Sequence, residues 1–319
     1  MRHGNARLFR RASMLGYILM AALMTPPFAI ARSDEPTRGL LGLERADGAL
    51  TNMVATERAF SALSVERGMR EAFLHFMADD GVLFQPLPVN GKESWRERAA
   101  SPATLIWAPS HGEMANAGDL GWSTGPWEYR PPSDSASVPP PADRIAHGHF
   151  TSMWARQLDG QWRVVADMGI SHPRPEHGIG NVEFKSKPGH TWIAGQMNPK
   201  SRANLAAIDR RYARDAKRGM AALDEWASED VRLHRDGSFP AEGRDSVKVV
   251  LGTGPVLLRI QPQGSRVSLS DDLGYTYGIL ERASATGPAE TSTYLHIWRK
   301  EADRKWRMAV IVECPLPPR

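Results

Sequence analysis

One pattern of residues occurs twice in this chain of 319 residues, and a long internal repeat constrains the fold more than any other feature of the sequence. The phrase Asp119-Leu120-Gly121-Trp122 returns as Asp272-Leu273-Gly274-Tyr275. Two later tryptophans return at one constant separation, in the pairs Trp154 and Trp298, Trp162 and Trp306. The repeat predicts two modules of similar architecture, each long enough to bury a core of its own.

The stretch from 118 to 172 has the clearest pattern within the first module. Its aromatic and β-branched runs are separated by Asp159-Gly160, a typical hairpin turn. The insert from Pro131 to Pro141 is rich in proline and cannot donate a ladder of hydrogen bonds, so we expect it to loop out between strands. The stretch therefore predicts three consecutive antiparallel strands.

Helical patterns precede these strands in both modules. In the first module we predict three helices and one short strand, in the order Ala46–Arg67, Met69–Met77, Val82–Phe84 (strand) and Glu93–Ala100. The second module repeats the order, and its first helix has a candidate N-cap at Ser201. Its strands include separate ones at 256–261 and 266–270. Helices first and antiparallel strands afterwards are typical of the α+β class.

These elements divide the chain into five segments. They are a signal peptide (1–31), a flexible lead-in (32–45), the first module (46–172), a linker (173–200) and the second module (201–319). The leader has a basic start, the short apolar run Met14–Leu23 and a small-x-small cleavage site at Ala29-Ile30-Ala31. It predicts export to a bacterial periplasm or exterior, by the general or the twin-arginine route. We expect no membrane contact after cleavage.

The charge of the chain does not favour nucleic-acid binding. There are 40 basic and 36 acidic residues, and four arginines of the leader account for the excess. Without a concentrated basic stripe, binding to DNA or RNA has no electrostatic basis. The single cysteine, Cys314, excludes a disulfide within the chain, and we expect it to be inert.

With these elements the sequence resembles the nuclear transport factor 2-like superfamily, in particular its SnoaL-like, ketosteroid-isomerase-like branch. The resemblance rests on two helices joined at Arg67-Gly68-Met69 and on strand phrases that begin at Asp119, Gly148 and Asp159. It covers about residues 46–172 and, more weakly, 201–314. It implies two tandem cones, each a strongly curved antiparallel sheet packed against about three helices, with a pocket for a small molecule. This fold hosts isomerases, cyclases, dehydratases and non-catalytic binders, so it does not select an activity.

Asp167 is the leading candidate for acid–base chemistry. It follows Val164-Val165-Ala166 in an apolar strand, and a carboxyl group that faces an apolar pocket has a raised pKa. The resemblance to SnoaL-like cyclases, in which an acid on the last strand shuttles protons, places Asp167 at the matching position. The alternative is that Asp167 points outward or caps the loop toward His172.

His147 and His149 are candidate partners of Asp167, because alternate residues of a strand share one face. A two-residue hairpin loop would pair Asp167 with Ser152 and place the histidines on the opposite face. A three-residue loop would pair it with Thr151 and place all three together. One residue of register decides between them, and the sequence leaves both open.

Aromatic side chains are the candidate walls of a pocket in the first module. The candidate ligand contacts are Trp107, Trp122, Trp127, Tyr129 and Trp154. The alternative is that these rings fill the core of a curved sheet. We predict no cofactor and no metal, because the pattern His147-x-His149 lacks the acid that a cupin-like metal site has a few residues later.

The second module serves as an internal control. The repeat aligns Asp167 with Ile311, and it aligns the two histidines with Thr291 and Thr293. Proton chemistry at Asp167 would therefore belong to the first module alone. We expect the two cones to pair within the chain, which predicts a monomer.

The leading hypothesis is an exported protein that binds a small apolar or aromatic molecule in a cone pocket, without chemistry of its own. The alternative is an isomerase, cyclase or dehydratase that uses Asp167 with His149 or His147. A further alternative is a non-catalytic structural or partner-binding scaffold.

Overall fold

A computed structural model describes residues 46–132, 140–176, 178–179, 182–186, 204–217, 219–252, 257–283 and 289–317. The predicted signal peptide, the lead-in, most of the linker and the candidate cap Ser201 lie outside these residues. Export therefore stays a prediction. Among the helices described, none combines the length and the apolar character needed to cross a membrane.

Within its described residues the first module has three α-helices, one 3-10 turn (Ala142–Arg144) and one sheet. Its elements are α1 (Ala46–Arg67), α2 (Met69–Phe76), β1 (Met77–Phe84), β2 (Pro88–Asn90), α3 (Gly91–Glu97), β3 (Thr104–Trp107), β4 (His111–Met114), β5 (Leu120–Arg130), β6 (Ala146–Arg156), β7 (Trp162–His172) and a short later strand, β8 (Lys185–Ser186). The strand order is β2-β1-β7-β6-β5-β4-β8, and β3 also pairs with β5. The three antiparallel strands predicted from 118 to 172 are confirmed as β5, β6 and β7.

The second module repeats this order. Its elements are α4 (Leu205–Ala216), α5 (Ala221–Trp226), β9 (Ala227–Arg235), β10 (Ala241–Glu242), α6 (Arg244–Gly252), β11 (Leu257–Val267), β12 (Leu273–Arg282), β13 (Glu290–Lys300) and β14 (Trp306–Pro315). The strand order is β10-β9-β14-β13-β12-β11. The N-cap of α4 is Asn204, whose side-chain oxygen accepts a hydrogen bond from the backbone N of Ala207 at 3.0 Å. The prediction of two strands between 256 and 270 is wrong, because β11 runs through without a break.

Both sheets are curved and mixed, so the overall α+β class holds but the expectation of purely antiparallel sheets is wrong. β1 pairs with β7 in parallel, and β9 pairs with β14 in parallel. The reason lies in the topology of each module. After the first strand the chain leaves through a helix and re-enters at the far side of the sheet. Three hairpin reversals then bring the last strand back beside the first in the same direction.

Glycines at matching places show how similar the two backbones are. Gly68 and Gly219 join the first two helices of their modules with φ of 87° and 91°, a region that residues with a Cβ avoid. A Cβ on Gly125 would lie 1.9 Å from a backbone carbonyl oxygen, and one on Gly278 would lie 2.1 Å from another. Both modules therefore need glycine where two strands approach closely.

The helices cover one face of each sheet, which we call the inner face. The other faces pack against each other in a layer that we call the seam, centred on Met153, Met168, Ile297 and Val310. The repeated phrase takes part in this contact. Asp272 accepts a hydrogen bond from the backbone N of Asn116 at 3.0 Å, and Asp119 accepts one from that of Leu269 at 2.9 Å. The described residues of both modules belong to one compact unit.

Candidate functional site

The register of Asp167 is set by a hairpin loop and a β-bulge together. The loop between β6 and β7 consists of the three residues between Gln157 and Gln161, whose backbone N and O lie 2.8 Å apart. A bulge at Val165 then shifts the pairing by one residue, so that Asp167 pairs with Ser152. A three-residue loop therefore ends in the register that a two-residue loop would have given.

This register places Asp167 and the two histidines on opposite faces. Cross-strand partners share a face, so Asp167 and Ser152 lie on the inner face with the buried ring of Trp154. His147 and His149 have the alternate position on β6 and lie on the seam face. The sequence-predicted partnership of Asp167 with a histidine does not form.

Asp167 lies deep in the first module, yet part of its side chain is accessible. Burial raises the pKa of Asp167 to about 8, and the nearby carboxyl of Glu57 adds to the rise. At neutral pH most of the Asp167 carboxyl is therefore protonated. Such a group can donate a proton or a hydrogen bond and can take the proton back.

Glu57 is a functional candidate that the sequence reasoning missed. It belongs to α1 and is completely buried. Its carboxylate oxygens accept hydrogen bonds from the indole Nε1 atoms of Trp107 and Trp154, both at 2.7 Å, and from Oγ of Ser123 at 2.6 Å. Burial raises the pKa of Glu57 above its ordinary value, although these hydrogen bonds act in the opposite direction. The first module thus has two carboxyl groups beneath its inner face that interact electrostatically.

The second module places an acid at the corresponding position of its first helix. Asp209 is completely buried and accepts hydrogen bonds from the Tyr294 hydroxyl at 2.6 Å and from Nδ1 of His296 at 2.9 Å. A sequence signal for both acids exists. Glu57 lies between Met53 and Phe60 at helical spacing, as Asp209 lies between Leu205 and Tyr212. An acid in the middle of an apolar helix stripe, repeated in both modules, indicates a buried polar network.

The sequence-predicted aromatic contacts are mostly core residues. Trp107, Trp127 and Trp154 are buried in the cluster under the inner face of the first sheet. Trp122 is buried on the opposite face, in the seam. Tyr129 is partly buried at the edge of the first cluster. Two of the rings therefore act on the candidate site indirectly, because they donate hydrogen bonds to Glu57.

The two histidines lie in a polar cluster of the seam. Nδ1 of His149 lies 2.9 Å from Nε2 of His172. Burial lowers the pKa of His149 to about 3, and His172 acts in the same direction. His147 lies 4.0 Å from a carboxylate oxygen of Glu128, and burial lowers its pKa as well. Within the described residues, no group of three or more His, Cys, Asp or Glu side chains is arranged to hold a metal ion.

A cavity of about 90 Å³ lies between the sheet and the helices of the second module. Its lining residues come from α4, α5, α6, β11 and β12 and include Tyr212, Ala216, Met220, Leu223, Leu257 and Arg282. Most of the lining residues are apolar, and Tyr212 and Arg282 are the two with polar side chains.

The two polar groups of this cavity are both hydrogen-bond donors. Arg282 binds the carboxylate of Glu313 through Nε, at 3.2 Å, and through Nη2. Its Nη1 and the Tyr212 hydroxyl have no hydrogen-bond partner among the residues that the structure describes. Burial raises the pKa of Tyr212 to about 12, so the hydroxyl keeps its proton at every physiological pH.

Comparison with known proteins gives matches to solved structures only. No family model matches, and no curated protein matches. A ketosteroid isomerase-like protein from Erwinia carotovora atroseptica SCRI1043 is 21% identical over 36% of this chain and 93% of its own, with a TM-score of 0.29. An NTF2-like protein of unknown function from Pseudomonas putida KT2440 is 18% identical over 46% of this chain and all of its own, with a TM-score of 0.31. The solved structures to which this chain is similar are thus NTF2-like and ketosteroid isomerase-like proteins, and TM-scores of this size establish no shared activity.

Proposed function

We propose that this chain carries two copies of an NTF2-like domain and binds a small molecule in the cone of the second copy. The proposal is supported above all by the cavity of about 90 Å³ with Tyr212 and Arg282 in an otherwise apolar wall. A cavity of this size has room for a small molecule or for one end of a longer one. Burial of an apolar guest in such a cavity is favourable because it removes apolar surface from water.

The free donors of the cavity decide which ligands fit. Nη1 of Arg282 and the Tyr212 hydroxyl both require an acceptor, which a carboxylate or a carbonyl oxygen supplies. An ammonium group has only donors, so it offers neither of them an acceptor. The ligand class is therefore a small molecule with a branched or cyclic apolar body and one carboxylate or carbonyl group.

Native mass spectrometry of the freshly purified chain tests the proposal. The wild type is expected to retain a ligand or to bind added isobutyrate with a stoichiometry of one. The variant Gly252→Leu should lose that adduct, because a side chain at this position points to Met220, 3.8 Å from an added Cβ, and fills the cavity.

Val249→Leu, on the exposed side of the same helix, is the matched control and should bind like the wild type. Equal binding of isobutyrate to the wild type and to Gly252→Leu would refute the proposal.

A second candidate function is favoured by the state of Asp167. A carboxyl group with a pKa of about 8 on the inner face of the first cone is suited to move a proton within a bound substrate, as an isomerase, cyclase or dehydratase requires. Because His147 and His149 lie on the other face, Asp167 would move the proton without a histidine partner. Glu57 is the neighbouring carboxyl group on its own face. Infrared spectra should show a protonated carboxyl band at pH 6.5 that loses intensity in Asp167→Asn; an unchanged spectrum would rule this candidate out.

A further inference from the structure

Four histidines from four strands meet at one end of the seam. His111, His149 and His172 come from the first module, and His234 comes from β9 of the second. The rings of His149 and His172 lie 5.0 Å apart, and those of His149 and His234 lie 5.8 Å apart. Nδ1 of His234 lies 3.0 Å from Oγ1 of Thr151, so a hydrogen bond joins the two modules here.

Neutral rings satisfy the hydrogen bonds of this cluster. Nδ1 of His172 lies 2.7 Å from the carbonyl oxygen of Pro173, which can only accept, so this nitrogen carries the proton. In a neutral His172 ring, Nε2 then accepts a hydrogen bond from Nδ1 of His149 at 2.9 Å. Nε2 of His234 is buried and has no partner among the described residues. A proton added to His149 or to His234 would place a charge in this buried layer.

The surroundings of the cluster offer a new positive charge little compensation. On the side of His111 the charged groups that face the cluster are Arg232 on β9, Glu242 on β10 and Lys185 on β8. On the side of His172 they are Glu128, Arg130 and Arg174, with the titratable His147 beside them. Glu242 is already paired with Arg232, and Glu128 is already paired with Arg130. Burial, with the neighbouring histidines and Arg232, lowers the pKa of His234 well below its ordinary value.

The opposite end of the seam has no such cluster within the described residues. Leu83 pairs with Asp167, and Leu233 pairs with Ile311, the residue that the repeat aligns with Asp167. The next residues, Phe84 and His234, therefore correspond to each other. The Phe84 ring packs edge-on against Tyr277 at 5.9 Å. One end of the seam is therefore aromatic and indifferent to pH, and the other end is made of histidines.

We propose that the histidine cluster is an acid-sensitive latch between the two modules. With neutral rings it holds this end of the seam closed, and protonation in mildly acidic surroundings opens it. The sign follows from linkage: a histidine freed from the seam binds a proton near its ordinary pKa of 6.5, whereas His149 in the closed seam does so at about 3. Stability of the closed seam is therefore full above pH 6.5 and is lost progressively as the pH falls toward 3.

The test compares thermal midpoints of the full chain between pH 7 and pH 4.5, with the radius of gyration from small-angle X-ray scattering at both ends of the range. The wild type is expected to lose stability and to expand at pH 4.5 while its far-ultraviolet circular dichroism is retained. His234→Phe copies the residue of the opposite end, and His149→Gln keeps a donor for His172 without titrating. Each should remove a large part of the acid-dependent loss.

His75→Gln is the control, because His75 is exposed on α2 and should leave the loss unchanged. If His234→Phe does not fold, His149→Gln alone decides. A loss of stability in both variants as steep as in the wild type, or an unchanged radius of the wild type at pH 4.5, would overturn the proposal.

Discussion

At the scale of single residues, the two modules share one device, a buried acid on the first helix beneath the sheet. In the second module Asp209 is matched by a tyrosine and a histidine, whereas in the first module Glu57 interacts electrostatically with Asp167. Burial first, and the neighbouring Glu57 carboxyl second, disfavour the ionised form of Asp167, so Asp167 keeps its proton. The first module is therefore the one with a carboxylic acid that is neutral near pH 7.

The raised pKa of Asp167 predicts how stability depends on pH. The folded state binds this proton up to about pH 8, whereas the unfolded state releases it near the ordinary value of 3.8. The contribution is full below pH 3.8 and is lost as the pH rises toward 8, at about 1.4 kcal/mol per pH unit. In urea unfolding, Asp167→Asn should remove most of this slope between pH 5 and pH 8, and Asp143→Asn, at an exposed site, should not. Parallel curves for wild type and Asp167→Asn would contradict the assignment.

The polar network of the second module makes a separate prediction. Tyr294→Phe removes the hydroxyl that donates to Asp209 at 2.6 Å and leaves a buried carboxyl with one donor fewer. We expect a loss of about 1 to 3 kcal/mol in the free energy of unfolding, measured by urea denaturation at pH 7. Tyr277→Phe, at a half-buried tyrosine of the same sheet, should change it by less than about 0.5 kcal/mol. Equal losses in the two variants would show that the hydroxyl of Tyr294 is not needed.

At the scale of elements, bulges and close strand crossings shape both sheets. Trp154 and Trp298 stand beside a bulge in β7 and in β14, at corresponding positions of the repeat. Gly125 and Gly278 lie at a second interruption of the strand pairing. Opposite Gly125 the neighbouring strand is broken between β3 and β4, and opposite Gly278 the neighbouring strand β11 has a bulge. Both irregularities bend the sheets around their helices.

The need for glycine at position 278, where β11 and β12 approach closely, can be tested by mutation. A Cβ at Gly278 would lie 2.1 Å from a backbone carbonyl oxygen, so Gly278→Ala forces the backbone to move. We expect a loss of stability of about 3 kcal/mol or more in urea unfolding. Gly178→Ala is the control, because an added Cβ there meets no described atom within 4 Å. A Gly278→Ala variant as stable as the control would contradict the strand geometry.

The sequence predicts the helices and strands far better than it predicts the face of the sheet on which a side chain lies. The end of α1 at Arg67 is correct because Gly68, which follows it, is a local stop signal. The register of Asp167 depends on a bulge at Val165, and no local residue pattern marks a bulge among apolar residues. The cavity depends on how three helices lie over a sheet, which is a property of packing. Glu57 was predictable from its place in an apolar helix stripe, and the repeat at Asp209 strengthens that signal.

At the scale of the whole molecule, the seam is formed by the face of each sheet that lies opposite its inner face. Reciprocal contacts of Asp119 and Asp272 fix the modules at their repeated turns. Since each sheet covers this face of the other sheet, we expect the chain to be a monomer, as the sequence predicts. Light scattering should give a mass no higher than the 35.3 kDa of the chain. A stable species of twice that mass would show that a further pairing surface exists.

The central claim is that the cone of the second module binds a small molecule through two donors in an apolar wall. Calorimetric titration at pH 7 with isobutyrate and with isobutylammonium, which have the same apolar body and opposite charge, tests it most directly. We predict one site for isobutyrate with a Kd of about 1 mM, weakened about tenfold in Tyr212→Phe, and no heat of binding for isobutylammonium. Binding of both ions with equal strength, or no binding of isobutyrate, would contradict the claim.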